Sequence, residues 1–74
     1  MTHPRLRQQV KQIRRRIADL YISLRAYIYQ LNNFHHYNHD PYIEVQMREF
    51  YQTQINQKCE LIKQLHSIEM ALTL

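Results

Sequence analysis

The sequence predicts an all-α fold: two long antiparallel helices forming a helical hairpin, which dimerises into a four-helix bundle. Three observations predict it. Apolar residues recur without a gap at alternating steps of four and three from Leu6 to Phe34. Glycine is absent from the 74 residues, and the only prolines are Pro4 and Pro41. An Asp40-Pro41 pair then stands where a second helix should open. A β-rich fold of this size would need glycine in its tight turns. A chain this short also has little room for a closed core, which favours assembly with a second copy.

The first helix is read over about residues 4–34. Thr2 or His3 takes the cap position, and Pro4 suits the first turn, where its missing N–H has no intrahelical partner to lose. The apolar series is Leu6, Val10, Ile13, Ile17, Leu20, Leu24, Tyr27, Leu31 and Phe34. That alternation keeps one stripe on one side of a helix packed lengthwise on another, the seam of a coiled coil. Tyr21 and Ile28 lie beside the stripe and widen it into a face, as a bundle requires.

The turn is read over about residues 35–40, in Asn32-Asn33-Phe34-His35-His36-Tyr37-Asn38-His39-Asp40. Asparagine tolerates turn conformations and so substitutes for glycine there. The second helix follows over about residues 41–72, with Asp40 as cap, Pro41 in the first helical position and Glu44 in the first turn. Its apolar stripe is rougher: Met47, Phe50 or Tyr51, Ile55, Leu61 or Ile62, Leu65, Ile68 and Leu72, with Gln54 and Lys58 in the middle. A turn centred near Tyr37 sets Leu31 by Ile43, Leu24 by Phe50, Ile17 by Lys58, Ile13 by Leu61 or Ile62, and Leu6 by Ile68. Gln54 and Lys58 then form a polar layer that specifies register at some cost in stability. Tyr21, Ile28, Tyr51, Ile55, Ile62 and Met70 flank the seams, and Tyr21, Leu24, Ile28, Tyr51, Ile55 and Ile62 form the expected oligomer interface.

Charge is uneven. The net +4 arises in the first half, where seven basic residues face Asp19 alone, while five acidic residues outnumber three basic ones from Asp40 onward. Arg5, Arg7, Lys11, Arg14, Arg15, Arg16 and Arg25, with Tyr29, are the expected contacts for a partner protein or for nucleic acid. By helical position these charges ring the helix: Arg7 and Arg14 share the register of Tyr21 and Ile28, Arg16 lies on the other flank, and Arg15 points away from the seam. Such a ring attracts phosphate but lacks the single-faced arrangement of a groove-reading helix. The bland alternative is a solvated face that keeps the protein in solution.

Chemistry has few candidates. His35, His36 and His39 with Asp40 hold the only spacing that suits a metal, through His35 and His39 at i, i+4. A histidine-rich helix end is equally well explained by the helix dipole, and no metal or other cofactor is expected. His3 and His66 could meet at the other end of the hairpin. Ser23 and Ser67 have no neighbouring base and acid, and there is no phosphate-binding loop or nucleophile elbow, so no enzyme is expected. Cys59, the single cysteine, is expected to be a half-buried packing residue. The apolar-rich run from Ile17 to Tyr29 is broken by Asp19 and Arg25, too early for a membrane span. The lone cysteine and the absence of a leader pattern predict a soluble cytoplasmic protein.

The functional expectation is a non-enzymatic protein–protein interaction module: a small adaptor, regulator or inhibitor that binds a larger protein or complex and also itself as a homodimer. The alternative is a nucleic-acid-binding hairpin dimer that uses the basic N-terminal end for RNA or DNA. A third, weaker reading is metal binding by the turn histidines.

Overall fold

The computed structural model describes residues 4–34 and 40–73. Within them the chain is a two-helix hairpin, α1 over Pro4–Asn33 and α2 over Pro41–Thr73. No strand occurs among the described residues. The caps proposed at Thr2 and His3 and the turn at residues 35–39 lie outside the described residues.

Each helix end follows from local chemistry. Asp40 caps α2 as its side chain predicts. Its Oδ1 accepts a hydrogen bond from the Tyr42 N–H at 3.0 Å, and its carbonyl accepts the Glu44 N–H at 2.9 Å, the first turn of the helix. Glu44 lies in that first turn and pairs with Arg48 one turn later at 3.5 Å. In the last turn of α1, the Asn33 side-chain amide donates back to the Tyr29 carbonyl, one turn earlier, at 2.7 Å. Replacing the cap, Asp40→Ala, is expected to cost about 1 kcal/mol. In a chain of this size that lowers the thermal midpoint by about 4–8 °C, readable by circular dichroism. An unchanged midpoint would mean that the side-chain bond contributes nothing.

The nine apolar positions predicted for α1 are all buried or half-buried. Val10, Ile17, Leu20, Leu24 and Phe34 are buried, and Ile13, Tyr27, Leu31 and Leu6 are half-buried. From α2, Ile55 and Ile62 enter the same core as Ile17, Leu20 and Leu24. The two open choices in α2 resolve to Tyr51 over Phe50 and to Ile62 over Leu61. Gln54 and Lys58 are half-buried along the seam, so the polar layer is present.

The register differs from the expectation. Lys58 places its ammonium 5.5 Å from the ring centre of Tyr27, not beside Ile17. Those two positions are ten residues, or about 15 Å, apart on a helix. That is farther than a lysine side chain reaches. Phe50 packs against Tyr27 with ring centres 6.3 Å apart, where Leu24 was the expected neighbour. Ile13 shares a groove with Leu65, Ile68 and Leu72 rather than with Leu61. The cause is aromatic packing near the turn. Tyr51 lies 6.2 Å from Tyr27, 6.0 Å from Phe34 and 5.5 Å from Phe50, and this cluster sets how far the helices slide.

The product is a rod of 58 × 15 × 12 Å with a radius of gyration of 17.0 Å. A compact domain of this length would have a radius near about 11 Å. Two helices side by side bury one stripe each and leave the rest in water. Even the best-covered described residue, Phe34, is 4% exposed.

Candidate interaction surfaces

The hairpin has two broad faces on opposite sides of its seam. Arg7, Lys11 and Arg14 are spaced by four and three and share one side of α1, whereas Gln9, Gln12 and Arg16 lie on the other, at about 100° per residue. The first set borders a shallow groove with Val10 and, from α2, Thr73. The second borders an apolar groove with Ile13, Leu65, Ile68 and Leu72.

The first face is basic and aromatic. Its groove encloses about 670 Å³. Beyond it the same side of α1 continues through Ala18, Tyr21 and Arg25, which with Ile22 line a smaller depression, and on to Ile28. Arg14 is tied across the seam: its Nε donates to Glu69 Oε1 at 3.1 Å. The cations are divided among sides of α1 as their helical positions predict, with Arg7 and Arg14 on one flank and Arg16 on the other, and Lys11 joins the first pair. Arg7, Lys11 and Arg14 converge on one groove and Arg25 extends that side, while Arg16 belongs to the opposite groove. Arg5 and Arg15 are exposed, and Tyr29 is 63% exposed. Sequence spacing alone held the signal for the converging set, since positions 7, 11 and 14 follow the same alternation as the core seam.

The second face is apolar and comes mainly from α2. Ile43, Phe50, Leu61 and Ile68 are each about half exposed and lie on one side of that helix. The sequence pattern sets all four at the seam, Ile43 as the partner of Leu31 and the others as stripe positions or alternatives. Their separate stripe becomes visible only once Tyr51, Ile55 and Ile62 are seen to fill the hairpin core.

Of the six residues expected at an oligomer interface, Leu24, Ile55 and Ile62 are buried in the hairpin's own core. Tyr51 is half-buried in the aromatic cluster. Tyr21 and Ile28 remain exposed on the basic face. The physical reason is that a lone hairpin must cover its seam before it has anything to offer a second chain.

The candidate metal ligands His35, His36 and His39 lie outside the described residues. Asp40 is described, and its carboxylate is engaged as the helix cap. His66 is exposed, and His3 lies outside the described residues. Cys59 is exposed rather than half-buried, because it lies on the flank of α2, about a quarter turn from the middle of the seam. No helix among the described residues is long and apolar enough to cross a membrane. No family model matches the chain, and neither a curated protein nor a solved structure matches it.

Proposed function

We propose that this hairpin is a non-enzymatic interaction module, a small adaptor, regulator or inhibitor that works by covering part of another protein surface. It self-associates as a homodimeric four-helix bundle and uses no cofactor. One observation carries the reading. Among the described residues, eleven large apolar side chains are exposed while seven are buried. Exposed apolar residues scattered singly need no explanation, but contiguous ones mark surfaces that another chain covers. Tyrosine, phenylalanine and isoleucine on a stiff helix make such contacts at low entropic cost, because the rod is already ordered.

The test is size-exclusion chromatography with light scattering at low and moderate salt, with and without a mixed pool of short RNA and DNA. A dimer that persists as salt rises and ignores nucleic acid supports the module. A salt-sensitive shift onto nucleic acid supports the second reading.

That second reading is favoured by the groove of Arg7, Lys11 and Arg14, where three cations meet within one and a half to two helical turns. Charge reversal at Arg7 and Lys11 leaves the Arg14–Glu69 pair intact and tests it directly. If phosphates bind there, Arg7→Glu with Lys11→Glu should reduce the slope of log affinity against log salt by about 1.5. Helicity should stay unchanged, because both residues are exposed. An unaltered slope removes this groove from nucleic-acid binding.

A further inference from the structure

We infer that a second copy of this chain docks on the apolar stripe of α2, with the two α2 helices antiparallel about a two-fold axis between residues 55 and 56. This rests on the reading of the hairpin as a self-associating module and names its surface and geometry. The stripe follows a heptad spacing over positions 43, 47, 50, 54, 57, 61, 64 and 68, apolar at 43, 47, 50, 61 and 68 and glutamine at 54, 57 and 64, with Met47 and Gln54 half-buried where it borders the seam. It lies about a quarter turn from the seam that packs on α1. Its apolar members are half exposed, Ile43 41%, Phe50 52%, Leu61 39% and Ile68 48%.

What points to a second copy is the symmetry of the stripe. Residue spacing is the same read from either end, so an antiparallel copy sets Ile43 against Ile68, Phe50 against Leu61, and Gln54 against Gln57. Each apolar residue in these layers meets an apolar one, and each glutamine meets a glutamine. Met47 meets Gln64, a mixed layer that the two-fold repeats once on each side of the axis. A two-fold contact requires a patch complementary to itself, in which residue i meets j and j meets i. An unrelated helix would gain nothing from that symmetry. Antiparallel coiled coils are built from such layers, and a central polar layer specifies direction and register.

Charge and area agree. On the outer edge of the stripe, Glu60 falls opposite Thr53 of the second copy and Gln46 opposite Ser67, so no like charges meet. The hairpin exposes 6207 Å². A compact protein of 9.2 kDa would expose about 4,900 Å². The excess, summed over the whole rod, is more than the roughly 800 Å² per partner that a standard stable interface covers.

The test pairs two exposed substitutions. Phe50→Glu and Leu61→Lys should each convert the dimer to a helical monomer, because each would set an unpaired charge against an apolar residue. Mixed in equal amounts they should restore the dimeric mass, since one layer becomes Glu against Lys and the other remains Leu against Phe. A mixture that stays monomeric while both variants are helical overturns the inference, as does a dimer that survives either change alone.

A second measurement holds if a variant fails to fold. In a Cys59→Ser background, spin labels at position 60 should lie about 13 Å apart along the axis in the dimer, and labels at position 71 about 46 Å apart. Labels at position 71 closer than those at position 60 overturn the antiparallel geometry. If dimerisation is instead lost on Tyr21→Glu but not on Phe50→Glu, this surface is wrong while the self-associating module stands. A wild-type protein that is monomeric throughout the micromolar range overturns both the surface and the homodimer.

Discussion

A Leu24→Asp protein is expected to lose most of its helical circular-dichroism signal at room temperature. Leu24 is buried in a cluster with Ile17, Leu20, Ile55 and Ile62, so its side chain joins the two helices of one chain. Removing a buried leucine side chain costs about 2–5 kcal/mol. An aspartate adds the penalty of an ionised group with no partner in an apolar seam. A single core in a chain of this size rarely supplies more than about 3–5 kcal/mol. The substitution therefore exceeds what the hairpin has available. The volume-conserving control Leu24→Met should cost less than about 1.5 kcal/mol and remain folded. Retained helicity in the aspartate protein would show that Leu24 does not lie in the seam.

Replacing Lys58 should act in the opposite direction. Lys58 is half-buried, and its ammonium sits 5.5 Å from the Tyr27 ring centre. A cation over an aromatic face contributes about 0.5–1 kcal/mol where water has access. A leucine at the same position would gain part of the roughly 1.5–3 kcal/mol available from burying its side chain. Lys58→Leu is therefore expected to stabilise the hairpin by about 1 kcal/mol, raising the thermal midpoint by about 4–8 °C. The accompanying loss is specificity. Without Lys58, only Gln54 breaks the apolar run in the middle of α2, and alternative registers become closer in energy. Melting curves by circular dichroism read the first effect, and the linewidths of side-chain NMR signals read the second. A lowered midpoint would show that the cation–aromatic contact outweighs burial.

Much of this architecture is legible in the sequence. The α1 seam was readable because its nine apolar residues leave the helix only one way to hide them. The Asp40-Pro41 boundary was readable because a capping carboxylate followed by proline acts within two residues, whatever lies elsewhere. The α2 seam was less legible, since that helix carries apolar residues on two stripes. Phe50 and Tyr51, or Leu61 and Ile62, are adjacent in sequence and each able to pack in a core, so the pattern alone does not say which of each pair turns inward, and the more polar Tyr51 is the one that does. The division of the cations was legible in part: helical position puts Arg7 and Arg14 on one flank of α1, Arg16 on the other and Arg15 away from the seam, whereas the groove that gathers Lys11 with Arg7 and Arg14 needs Thr73 of the second helix as its far wall.

The sequence by itself determined that this chain makes two helices, where the second begins, and which side of the first is buried. Those properties depend on contacts within a turn or two of helix, where the chemistry of neighbouring side chains is decisive. The tertiary structure alone decided the register, by letting Tyr51 pack among Tyr27, Phe34 and Phe50. It also decided which apolar residues of α2 were left outside. Ring packing across the seam depends on the relative slide of two helices, and a slide of one or two turns keeps a heptad pattern in phase. Periodicity therefore cannot distinguish these registers, whereas the shapes of the side chains that meet across the seam can.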